Sequence, residues 1–288
     1  MAIRSLFFKA THPDKQLSFI RQRCPIRGSD YGQRAGFTER ISGNHIYLER
    51  GKGRPVIFCS GLYGSIYNIA TVGTLLSGQY HVIVPYLPLY ELPLIDCTVP
   101  KLADYLQSLM DDIALKEAVF IGSSMGGGAS LYYSLRKDHR SKGLVLCGSS
   151  GLSTIPMQKG FFKRKSYAFV KQATQEIFYD PSTPLEVMIN EVFDAIQNYE
   201  IVLRSIRFTK STANDQLHDK LKNIQVPCLL IWGKQDRITP PATGQLFKQL
   251  LPDAELHFLD KCGHVPTQEH PESVAMLIKF FLQRINYI

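Results

Sequence analysis

No stretch of the 288-residue sequence stays apolar for the ~20 residues that a bilayer-crossing helix needs. Residues 1–10 contain Leu6-Phe7-Phe8 but neither an extended apolar core nor a small-residue cleavage site, so no signal peptide is expected. Cysteine is sparse: there are six, no C-x-x-C pair among them, and Cys59, Cys147 and Cys228 fall inside apolar runs. That pattern suits reduced, buried thiols in a cytoplasmic protein better than a disulfide framework. H-E-x-x-H, P-loop and dinucleotide signatures are missing as well, so neither a metal nor an organic cofactor is expected. There is no internal repeat and no low-complexity tract.

Acidic residues are outnumbered, and the formal charge is +8. Much of the excess lies in residues 1–40, where Arg4, Lys9, Lys15, Arg21, Arg23, Arg27, Arg34 and Arg40 face only Asp14, Asp30 and Glu39. The segment matches no nucleic-acid module, so a solvated surface arm is expected and nucleic acid is not a partner. A short N-terminal helix resting against the domain, rather than stable membrane insertion, fits Leu6-Phe7-Phe8. A second helix is expected over 15–23.

What remains is an ordinary globular composition, and a chain of this length can bury about three quarters of its unfolded surface. From His45 onward, strand-like and helix-like runs alternate. Strands are expected at His45-Ile46-Tyr47-Leu48 (an edge), at Pro55-Val56-Ile57-Phe58-Cys59, over 81–85, over 118–121 and over 143–147. Helical spacing lies between them at 69–76 and 100–113. Such alternation implies right-handed crossovers and a largely parallel sheet. Ligands bind at the carboxyl ends of its strands, so the loops after Cys59, Ile121, Cys147 and Ile231 share one rim.

Between 151 and 221 the alternation stops. The stretch is helical in flavour, rich in aromatics, and has no convincing strand, so it reads as an inserted helical cap. Strands resume at 227–233 and 255–259, with helices at 245–251 and from Pro271 to about residue 283. The expected division is a basic lead-in at 1–44, an α/β core at 45–150 and 222–288, and a cap at 151–221.

The chain is organised around Gly122-Ser123-Ser124-Met125-Gly126, where an apolar strand breaks into small residues and a helix begins at once. The G-x-S-x-G turn places a serine on a strained bend whose flanking glycines let strand and helix approach closely. Ser124 is the serine in register, because Ser123 would have Ile121 and Met125 where glycines are needed. A serine hydroxyl needs a neighbouring base that is itself oriented by a third group. Asp236 and His264 each follow a predicted strand. Asp236 also suits a turn cap before Ile238-Thr239-Pro240. The loop one strand earlier, Gly148-Ser149-Ser150-Gly151, offers no carboxylate.

The order Ser124, Asp236, His264 is similar to the triad order of the α/β-hydrolase superfamily. Four motifs carry the resemblance, over about residue 45 to the C-terminus. They are Ser60-Gly61-Leu62-Tyr63-Gly64, the 122–127 elbow, Ile231-Trp232-Gly233-Lys234-Gln235-Asp236 with Arg237-Ile238-Thr239-Pro240, and Asp260 to Pro266 before Glu269-His270-Pro271-Glu272. The resemblance implies an α/β-hydrolase fold and a serine hydrolase acting on a small ester or acyl substrate. It further implies an oxyanion hole from the Leu62 and Met125 amides. Two positions depart from the pattern: Ser60-Gly61 stands where relatives carry His-Gly, and Pro85-Tyr86 has no following Asp. Aromatics of the cap, Phe161, Phe169, Phe178 and Phe193, are expected to wall the pocket. The motifs leave the branch open among esterases, thioesterases and meta-cleavage C–C hydrolases, and a ligand-binding receptor on the same fold remains the non-enzymatic alternative.

Overall fold

The computed structural model describes residues 29–152, 163–214 and 217–288. Eight strands form one sheet, β1 (Thr38–Ser42), β2 (His45–Arg50), β3 (Arg54–Cys59), β4 (Tyr80–Pro85), β5 (Ala118–Ser123), β6 (Ser141–Cys147), β7 (Cys228–Gly233) and β8 (Ala254–Leu259). Their spatial order is β1-β2-β4-β3-β5-β6-β7-β8. The β1/β2 and β2/β4 pairs are antiparallel, and β3 through β8 run parallel.

Strict alternation sends successive side chains to opposite faces. Ile57, Phe120, Leu144, Leu146 and Leu230 pack on one side and Val56, Val119, Ile121, Val145 and Leu229 on the other, all buried. Helices cover both. One face carries α3 (Val99–Asp112) and α4 (Met125–Ser134), and the other carries α2 (Ala70–Leu76) and the C-terminal α10 (Pro271–Arg284). Helix α3 shows why its spacing worked: Leu102, Leu106, Leu109 and Met110 are buried on one stripe.

The sheet starts earlier than expected. Strand β2 is not an edge, because β1 pairs outside it, with Arg40 opposite Tyr47 and Ile41 opposite Ile46. The strand therefore lies inside the stretch read as a lead-in, which also holds the short helix α1 (Ser29–Arg34). β1 is short and polar, as edge strands tend to be, so it gave no alternating signal. The sign that was present is the two-residue Gly43-Asn44 connection, a hairpin turn whose glycine has φ 54°. The helix expected over 15–23 lies outside the described residues.

Between β6 and β7 the described chain is helical, with α5 (Tyr167–Gln175), α6 (Glu186–Gln197) and α7 (Tyr199–Asn214) and no strand. Helix α8 (Pro241–Leu250) and the single turn α9 (Pro266–Glu269) complete the fold. Among the described residues, Cys59, Cys97, Cys147, Cys228 and Cys262 are all buried and unpaired. Burial pushes the thiols of Cys59, Cys147 and Cys228 up to about 12. No helix of the described residues is long and apolar enough to cross a membrane.

Candidate active site

Ser124 is the single residue between β5 and α4, with φ 52° and ψ −121°. A non-glycine residue held there costs on the order of 1–3 kcal/mol and persists only when its surroundings fix it. They do. The Ser124 amide donates to the Cys147 carbonyl at 3.0 Å, and its carbonyl accepts from Gly127 and Ser150, each at 3.0 Å. A Cβ on Gly122 would overlap Gly127, and one on Gly126 would overlap the Cys59 carbonyl. The two glycines of the motif are thus imposed by the packing of β3 and β5 against α4. Gly61 is constrained from the other side, since a Cβ there would stand 2.9 Å from that of Ser124.

Asp236 follows β7 and is fully enclosed, and His264 follows β8 with a side chain 9% exposed. His264 Nδ1 lies 2.9 Å from Asp236 Oδ2. A carboxylate oxygen accepts, so Nδ1 carries the proton in this contact. The other oxygen, Oδ1, accepts from the amides of Ile238 (2.8 Å) and Thr239 (2.9 Å). Asp236 therefore caps the turn that follows it and faces the imidazole at the same time. Capping and orienting are one arrangement here, with one oxygen for each.

Sequence reasoning missed Thr239. Its hydroxyl lies 2.8 Å from Asp236 Oδ2 and 3.1 Å from the Gly148 carbonyl, tying the acid to the loop after β6. A small hydroxylated residue three positions after the acid was the available signal. Gly148, at φ 51°, leaves the space into which Asp236 and His264 fit: a Cβ there would sit 3.1 Å from Asp236 Oδ2 and 3.2 Å from His264 Nδ1.

Ser124 and His264 share the lining of one cavity of about 180 Å³. Leu62 also lines it. Its loop is held although the usual histidine is missing: the Tyr63 amide donates to the Tyr90 hydroxyl at 3.0 Å, and Gly64 donates to the Gly61 carbonyl at 3.0 Å. Met125 is buried at the first position of α4, where a helix leaves its amides without intrahelical acceptors.

The insertion supplies much of the apolar wall, through Phe169, Val170, Met188, Val192 and Ile196. Two expected wall residues are elsewhere. Phe193 is half-buried and meets Tyr167 edge-on at 5.2 Å, because α6 turns Met188, Val192 and Ile196 inward at four-residue spacing and leaves Phe193 on the next face. Phe178 packs with Tyr67, Met188 and Val265, while its neighbour Ile177 reaches the cavity. Phe161 lies outside the described residues. Among those described, no group of three or more His, Cys, Asp and Glu side chains is placed to hold a metal ion.

Residues 56–277 match the Alpha/beta hydrolase family, and the chain belongs to it. It is 29% identical to the uncharacterized hydrolase YugF of Bacillus subtilis (strain 168) over 262 residues, 84% of this chain and 96% of that relative. It is 26% identical to Lipase 1 of Psychrobacter immobilis, over 82% of this chain and 80% of the lipase. A 2-hydroxy-6-oxononadienedioate/2-hydroxy-6-oxononatrienedioate hydrolase from Pseudomonas sp is 29% identical, covering 63% of this chain and 69% of the relative. Among solved structures, MGS-MChE2, an alpha/beta hydrolase enzyme from a sediment metagenome of the Mar Chica lagoon, Morocco, superposes with a TM-score of 0.70. Its identity is 27%, over 86% of this chain and 99% of that one.

Proposed function

We propose that the protein is a serine hydrolase that cleaves a carboxylic ester of a small apolar molecule through an acyl-enzyme. The observation that carries this reading is the 2.9 Å contact of His264 Nδ1 with Asp236 Oδ2 beside a cavity that Ser124 also lines. Ser124 Oγ attacks the ester carbonyl while His264 Nε2 takes its proton. The same imidazole then protonates the departing alkoxide, and water, deprotonated by Nε2, releases the acid. In this reading the amides of Met125 and Leu62 supply the two donors for the tetrahedral oxyanion. The helical insertion serves as a cap that selects the acyl or alcohol group.

Two features favour a neutral ester. The described cavity wall is apolar apart from a few hydroxyls, Asn68 and His264, with no Lys or Arg. The similarity to a lipase over most of both chains points the same way. The second reading, C–C bond hydrolysis, is favoured by the Pseudomonas relative. The substrate named for that relative is a dianion, which this described wall has no cation to meet.

A screen across p-nitrophenyl esters of increasing chain length, thioesters and dienone acids tests the proposal. Esters should turn over fastest, and Ser124→Ala should abolish both turnover and fluorophosphonate labelling. Faster turnover of a dienone acid than of any ester would replace this reading with the second one.

A further inference from the structure

Glu269 ends helix α9, five residues beyond His264, and its carboxylate is directed at backbone rather than at solvent cations. Oε1 accepts from the Gly263 amide at 2.9 Å and the Val265 amide at 3.2 Å. Oε2 lies 3.0 Å from the same Gly263 amide and accepts from the Tyr179 amide at 2.7 Å. The amide between them, that of His264 itself, donates to the Ile177 carbonyl at 2.8 Å. Three consecutive amides around the imidazole are thus fixed, the outer two by one carboxylate and the middle one by the helical insertion. The insertion returns to the same carboxylate two residues later.

Contact between the two segments is direct. A Cβ on Gly263 would meet the Ile177 carbonyl oxygen at 2.6 Å and the Tyr179 nitrogen at 2.8 Å. At Gly263 the backbone of the turn over 177–179 meets the loop that carries His264 directly. Glu269 alone links all three points, since its two oxygens reach the Gly263, Val265 and Tyr179 amides together.

We propose that Glu269 is a positioning residue. It holds the backbone of His264 so that the ring stands between Asp236 and Ser124, and through Tyr179 it makes that placement depend on the insertion being seated. The proposal rests on the serine-hydrolase reading above. Asp236 orients the ring only at Nδ1. The position of Nε2 relative to Ser124 is set by the loop backbone, and a displacement of about 1 Å there can cost on the order of 10²-fold in rate.

Glu269→Gln keeps the size of the side chain but turns an amide NH₂ toward donors that need an acceptor, and Glu269→Asp keeps the charge on a shorter arm. Three quantities are read on the whole protein. They are the fluorophosphonate labelling rate of Ser124, kcat and KM for a small activated ester per labelled site, and the downfield proton resonance of His264 Nδ1. Glu269→Gln should lower the labelling rate and kcat by about 10–100-fold with KM nearly unchanged, and should shift or broaden the Nδ1 resonance. Glu269→Asp should recover part of the loss. Counting per labelled site removes any simple loss of folded protein.

Wild-type labelling rate and an unchanged Nδ1 resonance in Glu269→Gln, whatever its melting temperature, would overturn the proposal. So would loss of the fold in both variants, which would make Glu269 a structural residue only. Failure of the wild-type protein to label at Ser124 would instead strike the serine-hydrolase reading.

Discussion

The Tyr63 hydroxyl donates to Ser205 Oγ over 2.8 Å, and Ser205 in turn donates to the Ile201 carbonyl at 2.8 Å. One bond thus joins the loop over 60–65 to helix α7 of the insertion. Tyr63 has φ 57°, so its ring is aimed by a strained backbone. Burial lifts its phenol to about 12. The raised value means that the folded state prefers the neutral phenol. Its stability contribution is complete below the ordinary value of 10 and is lost as pH climbs from there through about 12. Tyr63→Phe should lose about 0.5–1.5 kcal/mol at neutral pH. Denaturation measured from pH 8 to 12 should show a weaker alkaline decline in the variant than in the wild type, and equal declines would contradict this account.

Removing the Ser124 hydroxyl should cost on the order of 10⁶ in kcat, because the members of such a constellation act as a unit. Mass spectrometry after organophosphate treatment should place the adduct on the peptide containing Ser124. An adduct on Ser123 would sink the assignment.

Asp236→Asn should lower kcat by about 10⁴, since the imidazole would be held in the wrong tautomer. The substitution leaves one carbonyl oxygen that can still cap Ile238 and Thr239, so the fold should survive. Thr239→Val removes the hydroxyl that contacts both Oδ2 and the Gly148 carbonyl, and a hydrogen bond to a charged group is worth roughly 1.5–3 kcal/mol. It should reduce kcat by about one order of magnitude and leave KM nearly unchanged. Steady-state kinetics on one ester decides both, and a Thr239→Val enzyme with wild-type kcat would remove Thr239 from the site.

Ile196→Ala and Phe193→Ala should separate wall from packing on the same helix. Ile196 lines the cavity, so its truncation should move the preferred ester to a longer or bulkier chain. Phe193 meets Tyr167 instead, so its loss should lower the melting temperature while leaving the order of substrate preference unchanged. The check is a chain-length series run beside thermal denaturation. A chain-length shift in Phe193→Ala, with none in Ile196→Ala, would reverse the assignment of the two faces.

Much of the fold was legible because its signals are local. The apolar runs of β3, β5, β6 and β7 are buried on both faces and stand out in any window, and the stripe of α3 repeats at helical spacing. The elbow was legible for a steric reason, since only glycine fits where β5, β3 and α4 touch. Strand β1 was not read, because a polar edge strand has no apolar alternation and is recruited by pairing with β2.

The sequence alone determined which residue types occur in which order: a serine on a tight turn, then an acid and a histidine, each just past a strand. Only the tertiary structure decided what they touch. Asp236 divides its oxygens between a turn and an imidazole because β6, β7 and β8 end side by side. Phe178 and Phe193 left the wall because a single residue's rotation on a helix, or a turn between two helices, redirects a side chain. Glu269 stood in plain view five residues after His264, yet its partner Tyr179 lies 90 positions away. A hydrogen bond across that separation has no local signature. It exists because folding sets the insertion's turn directly on the loop that carries His264.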